Sequence, residues 1–257
     1  MDNEILEMMV SQAIGRIKDA YEQAEGKMYL SFSGGKDSTI VAELIKMSNL
    51  PVNIPFVFAN TGIELDATYN FVKDYNYSNI ITLKPRKPFG QVLKEYGKPA
   101  ISKNKSEWLS THQNNKNEPL RTVRQRQLIL GEVEKGGIKK GFRSKNALSL
   151  KHFHFIHPEL EYKISNKCCS YMKKKPFEDY TALNDMAGTY TGIRVAEGGA
   201  RAMAYKSCTI TRKVKGKDNI LSMPIIDWTD EICDEFIEKY NIKLSDAYTV
   251  YGMNRTG

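Results

Sequence analysis

Apolar positions recur at helical spacing through the first two dozen residues, where Ile5, Met8, Met9, Ala13, Ile14, Ile17 and Tyr21 share one face. Gly26 follows as a stop signal, so a helix is predicted over residues 5–24. The period then changes. Met28-Tyr29-Leu30-Ser31-Phe32 is a short, largely apolar run that reads as a buried strand, and residues 37–47 return to helical spacing. A second buried strand is predicted at Pro55-Phe56-Val57-Phe58-Ala59-Asn60, a second helix over 67–75 and a third strand at Ile80-Ile81-Thr82-Leu83. Strands and helices alternating at such short intervals predict an α/β fold, a twisted parallel sheet with helices on both faces.

Between residues 84 and 167 the periodicity weakens and Lys, Asn, Pro and Gly dominate. Residues 120–134 look helical, and Gly136, Gly137 and Gly141 break the pattern afterwards. Residues 85–167 therefore read as a basic, mostly helical insertion or lid within one α/β domain over 1–257. A strand-like run at 187–195 restores the alternation, followed by a strand near 220–223 and a helix over 229–240. Thr229 suits the N-cap of that helix, with Asp230 and Glu231 at its positive end.

Composition narrows the setting. A chain of 257 residues, 41% hydrophobic and 26% charged, is ordinary for a soluble protein with a sizeable core. No apolar run approaches a membrane span, and the acidic start Met1-Asp2-Asn3-Glu4 is unlike a signal peptide. Four cysteines do not make a disulfide framework, so a cytoplasmic protein with no membrane partner is expected. The net charge of +8 is local: between Lys139 and Lys175 ten Lys or Arg stand against Glu159 and Glu161. Such a block is a solvated surface, a contact for DNA or RNA, or a lining for an anionic nucleotide pocket.

The chemistry starts where the first strand meets the first crossover helix, at Ser33-Gly34-Gly35-Lys36-Asp37-Ser38. Two glycines allow a sharp turn and close backbone approach to a ligand. Unpaired N–H groups and the positive dipole end at the helix start favour an anion. Ser33, Ser38 and Lys36 add hydroxyls and a cation. A plain helix cap would need only Asp37 or Ser38. The spacing is not that of a Walker loop, which needs Gly, four residues, then Gly-Lys-Ser/Thr. It resembles the PP-loop of the ATP pyrophosphatase superfamily, adenine nucleotide alpha-hydrolase-like in fold. That resemblance implies a grip on the pyrophosphate end of ATP and cleavage between the α and β phosphates. Lys36 and Asp37 become candidate catalytic residues, and Ser33, Gly34, Gly35, Lys36, Asp37 and Ser38 candidate nucleotide contacts.

Within that superfamily the chain resembles the phosphoadenosine phosphosulfate (PAPS) reductase family over about 29–84 and 167–257. Asn60-Thr61-Gly62 looks like its Asn/Asp-Thr-Gly motif, making these three residues candidate nucleotide contacts; Glu64 either orders the loop or helps bind Mg²⁺. Gly192-Ile193-Arg194 and Glu197 through Arg201 look like its Gly-Ile-Arg…Glu-x-x-x-Arg segment, which implies Arg194 and Arg201 near phosphate oxygens. The alternative is a surface loop with an ion pair to Glu197. Pro224-Ile225-Ile226-Asp227-Trp228-Thr229 also matches, as architecture. Lys167-Cys168-Cys169 resembles the tandem cysteine that joins a later Cys-x-x-Cys to hold a [4Fe-4S] cluster. No Cys-x-x-Cys occurs here. Residues 245–257 resemble the segment leading into it, so either further C-terminal residues carry the motif or the cluster site is incomplete. Cys208 is a weak third ligand candidate, and Cys233 reads as core.

His152, His154 and His157 alternate with Phe153 and Phe155. On a strand the first two would share a face, a weak zinc site without further ligands. The pattern fits nucleic-acid stacking better. The resulting expectation is an enzyme that binds ATP, or PAPS or APS, with Mg²⁺ and cleaves ATP to AMP and pyrophosphate to activate a substrate in sulfur transfer. The alternatives are a sulfonucleotide reductase, a nucleic-acid-binding module with a regulatory nucleotide loop, and a degenerate domain. A homo-oligomer is a further candidate state.

Overall fold

Among the described residues six short strands build one sheet. In the computed structural model the described residues are 3–114, 123–132, 144, 147–157, 159–198, 205 and 207–254. The strands are β1 (Met28–Ser31), β2 (Phe56–Ala59), β3 (Ile80–Leu83), β4 (Gly188–Tyr190), β5 (Thr209–Val214) and β6 (Lys217–Ser222). Their order across the sheet is β3-β2-β1-β4-β6-β5. All neighbours are parallel except β5 and β6, which form an antiparallel hairpin. The chain divides into two units, Met1–Lys84 with Pro176–Gly257, and Pro85–Lys175. Among the described residues no helix is long and apolar enough to cross a membrane.

The first unit holds the sheet. Alternate residues of each central strand feed opposite layers. Met28, Leu30, Phe56 and Phe58 pack with the buried faces of α1 (Asn3–Gln23), α2 (Lys36–Met47) and α3 (Asp66–Lys73), together with Trp228 and Phe236. Tyr29 and Val57 pack the other way, onto Tyr180 and Phe177 of α8 (Lys175–Leu183). The parallel sheet with helices on both faces is thus present, with one antiparallel strand at its edge. Each of these large side chains contributes about 1.5–3 kcal/mol on full burial, which fixes the strand ends in space.

Two strands differ from their sequence pattern. The run at 187–195 pairs only over Gly188–Tyr190, because Thr191 to Arg194 leave the sheet at its carboxyl edge. The pattern at 220–223 is the inner part of β6, and its hairpin partner β5 was not expected. Thr211, Arg212 and Lys213 are exposed on that edge strand, so no apolar alternation marks it. The turn between them uses Lys215 and Gly216, both at positive φ (48° and 86°).

The second unit contains α4 (Phe89–Tyr96), α5 (Lys103–Asn114), α6 (Val123–Ile129), a 3₁₀ turn (Leu150–Ile156), α7 (Lys167–Cys169) and a π-helical turn (Ser170–Lys174). Ala100, Leu109, Leu128, Leu148 and Ile164 form its own small core, with Phe153 and Phe155 against it. His152 and His154 lie on the 3₁₀ turn rather than a strand. Their rings bond locally, His152 Nδ1 with Ser149 Oγ at 2.9 Å and His154 Nδ1 with the Lys151 carbonyl at 2.9 Å. His157 Nδ1 accepts from Glu159 N–H at 3.3 Å. Of the basic block between Lys139 and Lys175, residues 139–143, 145, 146 and 158 lie outside the described residues.

Candidate functional site

Strand order reverses beside β1, which has β2 on one side and β4 on the other. The carboxyl ends of adjacent strands at such a switch point diverge and leave a crevice where ligands of open α/β sheets bind. The glycine loop leaves β1 there, and Thr191 to Arg194 leave β4 beside it. The β1 loop turns at Gly34, whose φ of +70° L side chains rarely adopt. A Cβ at Gly34 would stand 2.6 Å from Val72 Cγ2 and 3.1 Å from Thr68 Cγ2, so α3 presses directly on the loop. From the β4 side, a Cβ at Gly192 would stand 2.6 Å from the Asp37 backbone carbon and 2.8 Å from Ser38 N. Two close approaches therefore clamp the start of α2.

The loop's hydroxyls hold its shape. Ser33 N–H donates to Ser38 Oγ at 3.2 Å, Gly35 N–H donates to Ser33 Oγ at 3.3 Å, and Ser38 Oγ donates to the Gly35 carbonyl at 2.9 Å. The N-cap of α2 is Gly35, which brings no side-chain cap. Neither Asp37 nor Ser38 serves as N-cap. The helix therefore presents Lys36, Asp37 and Ser38 in its first turn with no side-chain cap from its N-cap residue at the positive dipole end.

Charges around this turn are paired. Lys36 Nζ meets Asp234 Oδ1 at 2.9 Å, from α9 (Asp230–Lys239). Burial pulls the Lys36 ammonium down, but the bond and charge of Asp234, with Asp230 behind it, outweigh this and raise its pKa. The Lys36 N–H donates to the hydroxyl of Tyr248 at 3.0 Å, from α10 (Asp246–Thr249). Arg194 is buried, with 3% of its side chain exposed. Its Nε donates to Asp37 Oδ1 at 3.0 Å, Nη1 to the Trp228 carbonyl at 3.2 Å and Nη2 to Asp230 Oδ1 at 2.7 Å. Burial raises the Asp37 carboxyl pKa above its ordinary value, with Arg194 opposing. Cys233, between these groups on α9, is buried and its thiol is pushed up to about 12, chiefly by that burial.

The second loop sits at the carboxyl end of β2. Asn60 Oδ1 accepts from Gly62 N–H at 3.0 Å, and the Glu64 carboxylate accepts from Thr61 N–H at 2.9 Å and Thr61 Oγ1 at 2.6 Å. Of the two roles open to Glu64 from sequence, loop ordering is the one its bonds display. The structure thus brings Ser33, Gly34, Gly35, Lys36, Asp37, Ser38 and Arg194 together, with Asn60, Thr61 and Gly62 at the next strand end. Arg194 ties the frame of α2 and α9 through its internal acceptors. Arg201 lies outside the described residues.

The residues do not fit a four-thiolate cluster. Among the described residues no group of three or more His, Cys, Asp or Glu is placed to hold a metal. Cys168 and Cys169 sit on α7, where burial raises the Cys168 pKa. Cys208 packs beside Leu221, Met223 and Ile226, and Cys233 is core, as its helix position suggested. Sequence reasoning missed Asp234 and Tyr248. Asp230 and Asp234 share one face of α9 at i,i+4 spacing, a readable signal; nothing local marked Tyr248.

Comparison with known proteins places this arrangement. The family model described as the phosphoadenosine phosphosulfate reductase domain matches residues 27–149 and 132–250. An uncharacterized protein of Methanocaldococcus jannaschii is 38% identical over 90 residues, covering 34% of this chain and 18% of that relative. The fold is similar to PAPS reductase from Candida auris, solved as a phosphate complex, with TM-score 0.56 and 11% identity over 100% of this chain and 95% of that one. It is also similar to FMN adenylyltransferase from Candida glabrata, solved with FAD and inorganic pyrophosphate, with TM-score 0.51 and 11% identity over 95% of this chain and 60% of that one.

Proposed function

Because the chain belongs to the phosphoadenosine phosphosulfate reductase domain family of PP-loop, nucleotide-binding proteins, we propose that its loop grips an adenine nucleotide by the phosphates and cleaves ATP to AMP and pyrophosphate. The observation that carries this reading is the clamped start of α2, with Lys36 in its first turn, at the switch point beside β1 and β4. MgATP enters as substrate. A nucleophilic oxygen of the acceptor attacks the α phosphorus, and the bond from that phosphorus to the α–β bridging oxygen breaks. The electron pair leaves with pyrophosphate, while the acceptor keeps AMP. Lys36 Nζ and the first-turn N–H groups stabilise charge as it grows on the leaving group. Asp37 orients this turn through Arg194, and Asn60, Thr61 and Gly62 flank the nucleotide. A hydrosulfide-class donor then displaces AMP from the acceptor, completing sulfur transfer.

A polyanionic acceptor, DNA or RNA, is proposed from the second unit. Its π-helical turn carries Lys173 and Lys174 beside Tyr171, which stacks on Tyr96 with centroids 4.4 Å apart and lies under Lys175 Nζ at 3.7 Å. Such binding weakens steeply with salt.

The test is incubation with ATP labelled at the α or γ phosphorus and candidate acceptors. The expected products are AMP and pyrophosphate, falling about 10²–10³-fold in Lys36→Ala. Release of orthophosphate alone would overturn the reading. The family match also supports sulfonucleotide reduction, in which PAPS and two thiols yield sulfite, adenosine bisphosphate and a disulfide; thiol-dependent sulfite release would select it instead.

A further inference from the structure

Both donors that Lys36 offers to a phosphate are occupied by the chain's own later residues. Its backbone N–H, the first of α2, donates to Tyr248 Oη at 3.0 Å. Its Nζ bonds Asp234 Oδ1 at 2.9 Å. The N-cap residue Gly35 supplies no side-chain acceptor, so the Tyr248 oxygen stands where an anion would be held. We propose that Tyr248 and Asp234 are internal competitors for the phosphate site, and that residues 245–254 form a strap released when the nucleotide's phosphates take Lys36. This rests on the phosphate-gripping role proposed above and concerns how that grip is regulated.

The strap is built to exchange. Its short helix α10 begins at Ser245, whose side chain accepts from Ala247 N–H, and lies against α3. Only Ser245 and Ala247 are buried, at 1% and 0% exposure, while Val250 and Tyr251 are 67% and 69% exposed. Segments with so little buried apolar surface open locally at low cost. Its own bonds are internal, from Val250 N–H and Tyr251 N–H to the Asp246 carbonyl and from Met253 N–H to the Ala247 carbonyl. It can therefore move as a piece, with the Tyr248 hydroxyl among its ties to the loop. Asp234 is 66% exposed, so its carboxylate returns to water when Lys36 turns to a phosphate. A dianionic phosphate offers Lys36 more charge than a phenol and one carboxylate do, so the exchange runs toward ligand. An apolar surface including Val250, Tyr251 and Met253 then changes its surroundings with nucleotide occupancy.

Inorganic pyrophosphate is the probe. Its affinity is measured by calorimetry for the intact chain and for Tyr248→Phe, Asp234→Asn and Lys36→Ala, with hydrogen–deuterium exchange of residues 245–254. Removing one competing hydrogen bond should tighten pyrophosphate about three- to tenfold in Tyr248→Phe. Asp234→Asn should tighten it in the same direction, and pyrophosphate should raise exchange in 245–254 of the intact chain. Weaker or unchanged binding in Tyr248→Phe would overturn the competitor role. So would exchange in 245–254 that falls or stays constant, a readout that needs no variant. If Lys36→Ala binds as the intact chain does, or neither binds, the phosphate-site reading fails and the strap with it. If Lys36→Ala loses binding while Tyr248→Phe gains none, the strap alone fails.

Discussion

Gly192 has no side chain, and its place in the molecule depends on that. The Asp37 backbone carbon lies 2.6 Å from where its Cβ would be, a distance no real Cβ accepts, and the obstacle is helix backbone that cannot rotate aside. Gly192→Ala is therefore expected to push the start of α2 off its position. A misplacement near 1 Å can cost about 10²-fold in a positioned site. Pyrophosphate titration beside a thermal melt should show binding falling far more than stability does. Arg194 works the other way. Its guanidinium joins Asp37, Asp230 and the Trp228 carbonyl inside the protein, so Arg194→Met leaves Asp37 half-buried without its cation. The expected loss is about 3–5 kcal/mol in urea unfolding. The motif Gly192-Ile193-Arg194 was legible in sequence as a segment of the family. Its packing was not, because who lies against Gly192 and what fills the arginine's fork are set by strands far apart in the chain.

Elements were more readable than contacts. The helix start at Thr229 followed from a capping residue with two acids behind it, and the structure has Thr229 Oγ1 accepting from Ile232 N–H at 3.4 Å. Thr229→Ala should cost about 1 kcal/mol, read as a shifted urea midpoint with unchanged slope. The strands β1 and β2 announced themselves because buried parallel strands are apolar on both faces, and β3, half-buried at the edge, still carries Ile80, Ile81 and Leu83. The edge strand β5 did not, since Arg212 and Lys213 face solvent there. Charged edges keep a sheet from adding foreign strands, and the same charges hide the strand from a hydrophobic pattern. The histidine segment shows the same limit: alternation of His and Phe would suit a strand, but Phe153 and Phe155 pack from a 3₁₀ turn onto Leu109 and its neighbours.

At the scale of the whole molecule, long-range charge pairs link the ends of the sheet unit. Arg16 on α1 donates from Nη1 and Nη2 to both oxygens of Asp227, each at 2.7 Å. The hydrogen bonds from Arg16 hold the Asp227 carboxyl below its ordinary value, against some burial. A depressed carboxyl contributes stability that is present above the ordinary carboxylate range and is lost as pH falls through the native value. Asp227→Asn should therefore lower stability at neutral pH by about 1 kcal/mol, since this bidentate pair is partly solvated. Melts between about pH 2 and pH 7 should show a flatter acid limb in the variant. The sheet order carries a separate consequence, for the growing chain. Met28 pairs with Gly188, so β1 must wait for β4 while the second unit is made between them. At ribosomal speeds that interval is on the order of ten seconds or more. Throughout it the central strand of the finished sheet is an outer strand with open N–H and C=O groups. The nascent protein is thus most prone to intermolecular pairing along the edge that later becomes its innermost seam.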